Sequence, residues 1–285
     1  MSARGRLAWF AALAALLGGC STTQLAYDNA DTFLRWQARA YLDLPGEQSD
    51  ELDARIAAFH AWHRAQALPQ YAQLAGEAAR RLERRLSRED LVWSYDSARA
   101  QARESLRAAA AEIAGLLDRL GPEQVAHLEE RLAEDNRKFA RENLAGTPEE
   151  RRKRRARRHL ERLQEWLGEL SDAQAERVRL YSERAPLVDE LRDADRRRRQ
   201  AELLAMLRER GARRRLADWA ANWDSGRAPE YAAAASAVQE HYFNLLLEID
   251  AMLSAAQRRA EVSRLQEFAA DFAVLARRYA EDAAR

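Results

Sequence analysis

Leu170-Ser171-Asp172-Ala173-Gln174 is the stretch from which the fold is read. A serine at the N-cap accepts a hydrogen bond from the amide three residues on, and a glutamine there reaches back to the cap amide. The leucine ahead of the cap staples onto the first turn. The same order returns in Leu253-Ser254-Ala255-Ala256-Gln257, Leu120-Gly121-Pro122-Glu123-Gln124 and Leu44-Pro45-Gly46-Glu47-Gln48. Leu86-Ser87-Arg88-Glu89-Asp90 is a degenerate fifth copy, and Thr147-Pro148-Glu149-Glu150 after Gly146 is a further capping box. The spacing between copies is irregular, so the pattern marks helix starts and not a solenoid repeat.

Between these starts the apolar residues recur at three- and four-residue steps. Asn29 or Asp31 should cap a first helix carrying Phe33, Leu34 and Trp36. Leu52, Ile56, Phe59 and His63 line a second, from about 47 to 67, which Leu68-Pro69 should break. Helices then follow from 68, from 87 to 120, from 122, from 147 to 167, and from 171 to Pro186. A charged helix from 187 to 223, with a possible break at Gly211, precedes two final helices over 229–253 and 255–283. Ala, Leu, Arg and Glu dominate, and the chain has only 11 glycines and 6 prolines. No period-two run is long enough for a strand. The expected fold is all-α, a multi-helix bundle of antiparallel helices joined by short turns, occupying 31–285 with a candidate subdivision near 146. The pattern suits a compact or an elongated bundle equally.

Arg4 and Arg6 precede an apolar run from Leu7 to Leu17, which ends in Leu17-Gly18-Gly19-Cys20. A charged start, an apolar core of about 7–15 residues and small residues at the cut make a secretory signal. The run is shorter than the roughly 17–25 residues of a membrane span. Its last four residues resemble a bacterial lipobox. That resemblance implies a signal peptide over 1–19, a covalent lipid on Cys20 and a tether over 20–30. Cys20 is the sole cysteine, so no internal disulfide is available. Ser21, where an aspartate favours inner-membrane retention in enteric lipoproteins, points by the same resemblance to an outer-membrane anchor facing the periplasm.

The formal net charge is +1, so no global field attracts nucleic acid. The densest charge block is Arg151, Arg152, Lys153, Arg154, Arg155, Arg157 and Arg158. The plainer reading is a solvated helix balanced by Glu149, Glu150, Glu161 and Glu165. The functional reading is a patch for anionic lipid headgroups or acidic protein segments. The arginines of 196–199 and 213–215 are read as solvated. His60 and His63 stand three apart and are weak metal candidates, because no third ligand is evident; the expectation is no metal and no cofactor beyond the lipid. His127, His159 and His241 are isolated. Trp36, Trp62, Trp93, Trp166, Trp219 and Trp223 are expected in the core, a client groove being the alternative. No Gly-rich phosphate loop, nucleophile motif or carboxylate pair stands out, so no enzyme activity is expected.

The helix-start pattern resembles the Leu-Thr-x-x-Gln motif of the Spy/CpxP-like periplasmic proteins, with serine, proline or glycine in place of threonine. Those proteins are all-helical, and some are ATP-independent chaperones or envelope-stress regulators. A second resemblance lies in Tyr27-Asp28-Asn29-Ala30-Asp31, Trp36, Tyr41-Leu42-Asp43-Leu44 and Gln48, followed by Trp62-His63-Arg64 and Leu68-Pro69-Gln70-Tyr71. These are similar to the opening of a family of uncharacterised proteobacterial lipoproteins. That family carries no assigned activity; the lipobox and the glutamine-capped helix starts together imply a non-enzymatic lipoprotein that binds other periplasmic or outer-membrane proteins, chaperone-like or in envelope stress. The alternatives are an assembly lipoprotein with one fixed partner and, more weakly, a metal sensor.

Overall fold

Each serine or threonine start forms the cap its sequence encodes. The Ser171 amide donates to Gln174 Oε1 at 3.0 Å, and the Gln174 amide to Ser171 Oγ at 3.3 Å. Ser254 and Gln257 repeat this, as do Ser87 with Asp90 and Thr147 with Glu150. At Gly121, which has no side chain, only the half from its amide to Gln124 Oε1 survives, at 2.9 Å. Each cap satisfies donors that the first turn would otherwise leave unmet.

The computed structural model describes residues 22–283, and among these every regular element is helical. The order is α1 (Thr22–Asp28), α2 (Ala30–Leu42), α3 (Gly46–Trp62), α4 (Leu68–Leu82), α5 (Arg88–Leu117) and α6 (Pro122–Phe139). Then come α7 (Pro148–Leu167), α8 (Asp172–Arg184), α9 (Asp189–Arg208), α10 (Ala212–Ala221), α11 (Pro229–Asp250) and α12 (Ala255–Ala283). The fold is an all-α, bundle-like one. The central helix α5 packs against α3, α4 and α10, while α12 returns to cover α4, α7 and α1.

Two main cores hold the helices. In the first, Ala110, Ala114 and Leu117 of α5 meet Leu204 and Leu207 of α9 and Leu216 of α10, with Leu120, Val125 and Leu128 beneath. The alanines let α10 approach α5 closely. In the second, Leu163 and Leu167 of α7 meet Val178 and Tyr181 of α8 and Leu245 and Ile249 of α11. Leu52 and Ile56 of α3 pack with Leu116 in a smaller cluster. Four of the leucines ahead of the caps join these clusters: Leu44 and Leu120 the first, Leu170 and Leu253 the second.

Three expectations are corrected here. The residues read as a tether include α1, which is held because Gln24 Nε2 donates to Asp271 Oδ1 at 2.8 Å and Tyr27 stacks on His60. Leu68-Pro69 does not break its helix. A π-helical turn over His63–Ala67 carries the chain on, with the Leu68 amide donating to His63 O; this wider turn takes up the shift around a proline that lacks its amide donor. Finally, none of the six tryptophans is in the core. The cores are mostly aliphatic, and four of the indoles lie under guanidinium groups: Arg81 over Trp93, Arg199 over Trp219, Arg227 over Trp223 and Arg264 over Trp166, at 4.1, 4.3, 5.3 and 5.2 Å.

Candidate functional site

The glutamines of the helix starts pair across the fold. Gln174 Nε2 donates to Gln257 Oε1, and Gln257 Nε2 to Gln174 Oε1, both at 3.1 Å. Each also reaches a backbone carbonyl of the other's approach, Met252 O and Glu169 O. The starts of α8 and α12 are thus tied by one reciprocal amide clamp. Gln124 forms the counterpart on the other side, donating to Gln48 Oε1 at 2.7 Å and to Asp43 O at 3.1 Å. That pair is one-sided. Pro45, three residues before Gln48, has no amide for Gln48 to cap, so Gln48 turns its oxygen to Gln124. The degenerate fifth start joins α11 instead, through Leu86 N to Asp250 Oδ2 at 3.0 Å. These residues serve architecture.

A cavity of about 1050 Å³ opens between α7, α8, α9 and α11, closed at its ends by the start of α5 and by the segment from Trp219 to Arg227. Arg151, Arg155, Arg158 and Arg162 line it from α7, at the i, i+4, i+7, i+11 spacing that puts them on one helix face. Arg192, Arg196 and Arg199 answer from α9. The apolar floor comes from α11, as Tyr231, Ala235, Val238, Tyr242 and Leu246.

The guanidiniums fall into two groups. Arg151 pairs with Glu190 and Asp189 of α9, Arg155 donates to the carbonyls of Ser182, Ala185 and Pro186 that end α8, and Arg196 donates to Asn136 Oδ1. These three are structural. Arg158, Arg162, Arg192 and Arg227 make no side-chain hydrogen bond or ion pair among the described residues, although Arg192 lies over Phe139 and Arg227 over Trp223. The carboxylates on the wall are already engaged, Asp189 by Arg151 and Asp195 by Arg198 and the Ala228 amide. Trp223 Nε1 is buried without an acceptor. The wall therefore offers unspent positive charge and a free indole donor beside apolar surface.

His159 lies between Tyr181 and Tyr242, ring centroids 5.1 and 5.4 Å away. Burial, followed by the charges of Arg155, Arg162 and Arg158, lowers its pKa to about 4. The ring is neutral near pH 7 and adds no charge of its own. Burial likewise raises the pKa of both tyrosines, which stay as phenols.

The basic block thus divides by helical face. Arg151, Arg155 and Arg158 reach the cavity; Lys153 and Arg157 stay outside, paired with Glu149 and Glu161, and Arg154 donates to Ala145 O. Arg152 does not line the cavity. The reading of this block as a solvated helix fails at Arg151, which is buried and paired with Asp189 and Glu190 of α9. Arg196 and Arg199, read as solvated, also line the wall; Arg199 donates to Trp219 O at 2.7 Å. Arg162, Arg192 and Arg227 and the three tyrosines were missed, although the arginine spacing along α7 was in the sequence. His60 and His63 are packed against Tyr27, whose hydroxyl meets His63 Nδ1 at 2.8 Å. Burial lowers both pKa values, that of His63 to about 4. Among the described residues no group of three or more His, Cys, Asp or Glu is placed to hold a metal ion. Cys20 and the signal segment lie outside the described residues, and no described helix is long and apolar enough to cross a membrane.

Residues 40–232 match the model of DUF6279, a family of unknown function. No curated protein and no solved structure matches the chain.

Proposed function

The chain belongs to DUF6279, a family of unknown function, and we propose that it is a non-enzymatic, lipid-anchored binding protein of the cell envelope that takes an acidic, apolar-flanked segment of another envelope protein into the cavity. The supporting observation is the pairing of four unpartnered guanidiniums with a floor of tyrosine, valine and leucine. Arginine binds carboxylates in a two-pronged geometry, and burial beside apolar surface strengthens each such bond. An acidic peptide carrying an aromatic or aliphatic neighbour satisfies both parts of the wall. Anchoring at Cys20 and an outer-membrane, periplasm-facing site follow from the lipobox resemblance. Chaperone-like or envelope-stress work follows from the resemblance of the glutamine-capped starts to the Spy/CpxP-like motif.

A photo-crosslinking residue at Val238, in cells, tests the cavity. Adducts to envelope proteins should form and should vanish when Arg158, Arg192 and Arg227 are all changed to Glu. Adducts that persist unchanged in that variant would remove the cavity from the account. A smear of partners supports the chaperone version, a single adduct the fixed-partner one. Metabolic labelling with an acyl donor checks the anchor separately, since Cys20→Ser should abolish incorporation.

A further inference from the structure

Six large apolar side chains are exposed among the described residues, and four of them crowd the first two helices. Leu25 is 61% exposed, Phe33 58%, Leu34 37% and Trp36 64%. Leu25, Asn29, Thr32, Phe33 and Trp36 follow one another at helical steps, so they form a single stripe running along α1 and α2. The rings of Phe33 and Trp36 lie against each other, centroids 6.0 Å apart. The polar members of the stripe are satisfied within their own chain: Asn29 Nδ2 donates to Leu25 O, and the Thr32 amide to Asp31 Oδ1. The neighbouring charges turn sideways and are neutralised, Arg35 by Asp31 and Arg39 by Asp53 of α3. The stripe is therefore apolar, uncharged and without a protein partner among the described residues.

Its place in the chain selects its occupant. Leu25 lies five residues after Cys20, at most about 18 Å away even for an extended chain. Trp36 is eleven residues further, about 17 Å along the helices. An acyl group on Cys20 would keep the whole stripe within reach of the bilayer surface. Tryptophan and phenylalanine are the side chains that settle at the boundary between headgroups and acyl chains. We propose that α1 and α2 lie in the surface of the lipid bilayer, with Leu25, Phe33 and Trp36 inserted, as a second membrane contact that fixes how the domain is oriented. The inference rests on the anchor of the proposed function and is independent of its cavity.

The test uses the full chain, extracted from membranes and reconstituted in vesicles of phosphatidylethanolamine and phosphatidylglycerol, with or without brominated acyl chains. Bromine should quench tryptophan emission. Trp36→Phe, which keeps the apolar contact, should lose that quenching. Phe33→Asp should lower the ratio of inserted to free stripe about tenfold, the factor for about 1.4 kcal/mol of lost apolar burial. Both positions are exposed, so helix content by circular dichroism should not change. Unquenched parent protein, or equal quenching in Trp36→Phe, overturns the proposal. Ready disulfide formation between copies of a Phe33→Cys variant in an unquenched background overturns it in favour of a second copy. Intact mass reports the acyl group independently: quenching absent with the lipid present sinks the insertion alone, while a chain without lipid that still quenches upholds the insertion and removes the anchor.

Discussion

Breaking the amide clamp between Gln174 and Gln257 should loosen the joint between α8 and α12. Gln174 is 1% exposed. Its truncation in Gln174→Ala removes the acceptor of the Ser171 amide, two bonds with Gln257 and a long one to Met252 O. At about 1 kcal/mol for a cap and about 1 kcal/mol for each well-formed bond, the loss is about 2–4 kcal/mol. For a chain of this size that lowers Tm by about 4–12 °C. Gln257→Ala, less buried, should cost somewhat less. The decisive number is the coupling. Both single variants lose the same reciprocal bonds, so the double variant should be less destabilised than the sum by about 1–2 kcal/mol. Denaturant unfolding of all four proteins, followed by circular dichroism, gives the cycle. Costs that add to within about 0.3–0.5 kcal/mol would mean that each glutamine serves only its own cap, and the clamp would be refuted.

Glu261 is half-buried near Asp250, and burial first, then the Asp250 charge, raises its pKa to about 7 against the opposing pull of Arg258. Its folded pKa lies above its unfolded one, so the native state binds the extra proton between about pH 4.5 and 7 and stability falls as pH rises through that window. Glu261→Gln should therefore raise Tm at pH 8, by the equivalent of about 1–2 kcal/mol after allowing for partial exposure, and leave it unchanged at pH 4. Asp224, with its side chain 1% exposed, accepts from Arg99 at 2.5 Å and Arg103 at 2.9 Å. Burial opposes its ionisation, but the two arginines prevail and lower its pKa. Asp224→Asn should cost about 3–5 kcal/mol at pH 7, and the difference should shrink as the parent's carboxylate protonates below about pH 4, measurable as converging thermal melts. Gly168 adopts φ +75° at the end of α7 with open space around it. Gly168→Ala should cost about 1–3 kcal/mol through backbone strain alone, read from the same denaturant titrations.

The helix class and most boundaries were legible because caps are local. Ser87, Thr147, Ser171 and Ser254 each needed only the next three residues to declare a start. Pro69 misled because the remedy for its missing amide, a wider turn at His63–Ala67, draws on backbone geometry that no residue type announces. The tryptophans misled because their environment is set by partners distant in sequence, such as Arg81 over Trp93 and Arg199 over Trp219. The cavity was half legible. The arginine face of α7 could be read from its spacing, but the acids Asp189 and Glu190 that occupy Arg151 lie on another helix, and which guanidiniums remain free is decided only by packing. The clamp was invisible for the same reason: the pattern revealed five similar starts, and nothing in it told which would meet.

Helix α4 depends on a segment made long after it. Its main neighbour is α12, which begins about 170 residues downstream of Leu82. At about 5–20 residues per second, α4 waits roughly 10–35 s for its cover during synthesis. Any chain cut short ahead of Ala255 leaves an uncovered face on α4 and takes Asp271 from Gln24 and Gln257 from Gln174. Premature termination should thus yield sticky, protease-sensitive fragments and not a smaller working protein.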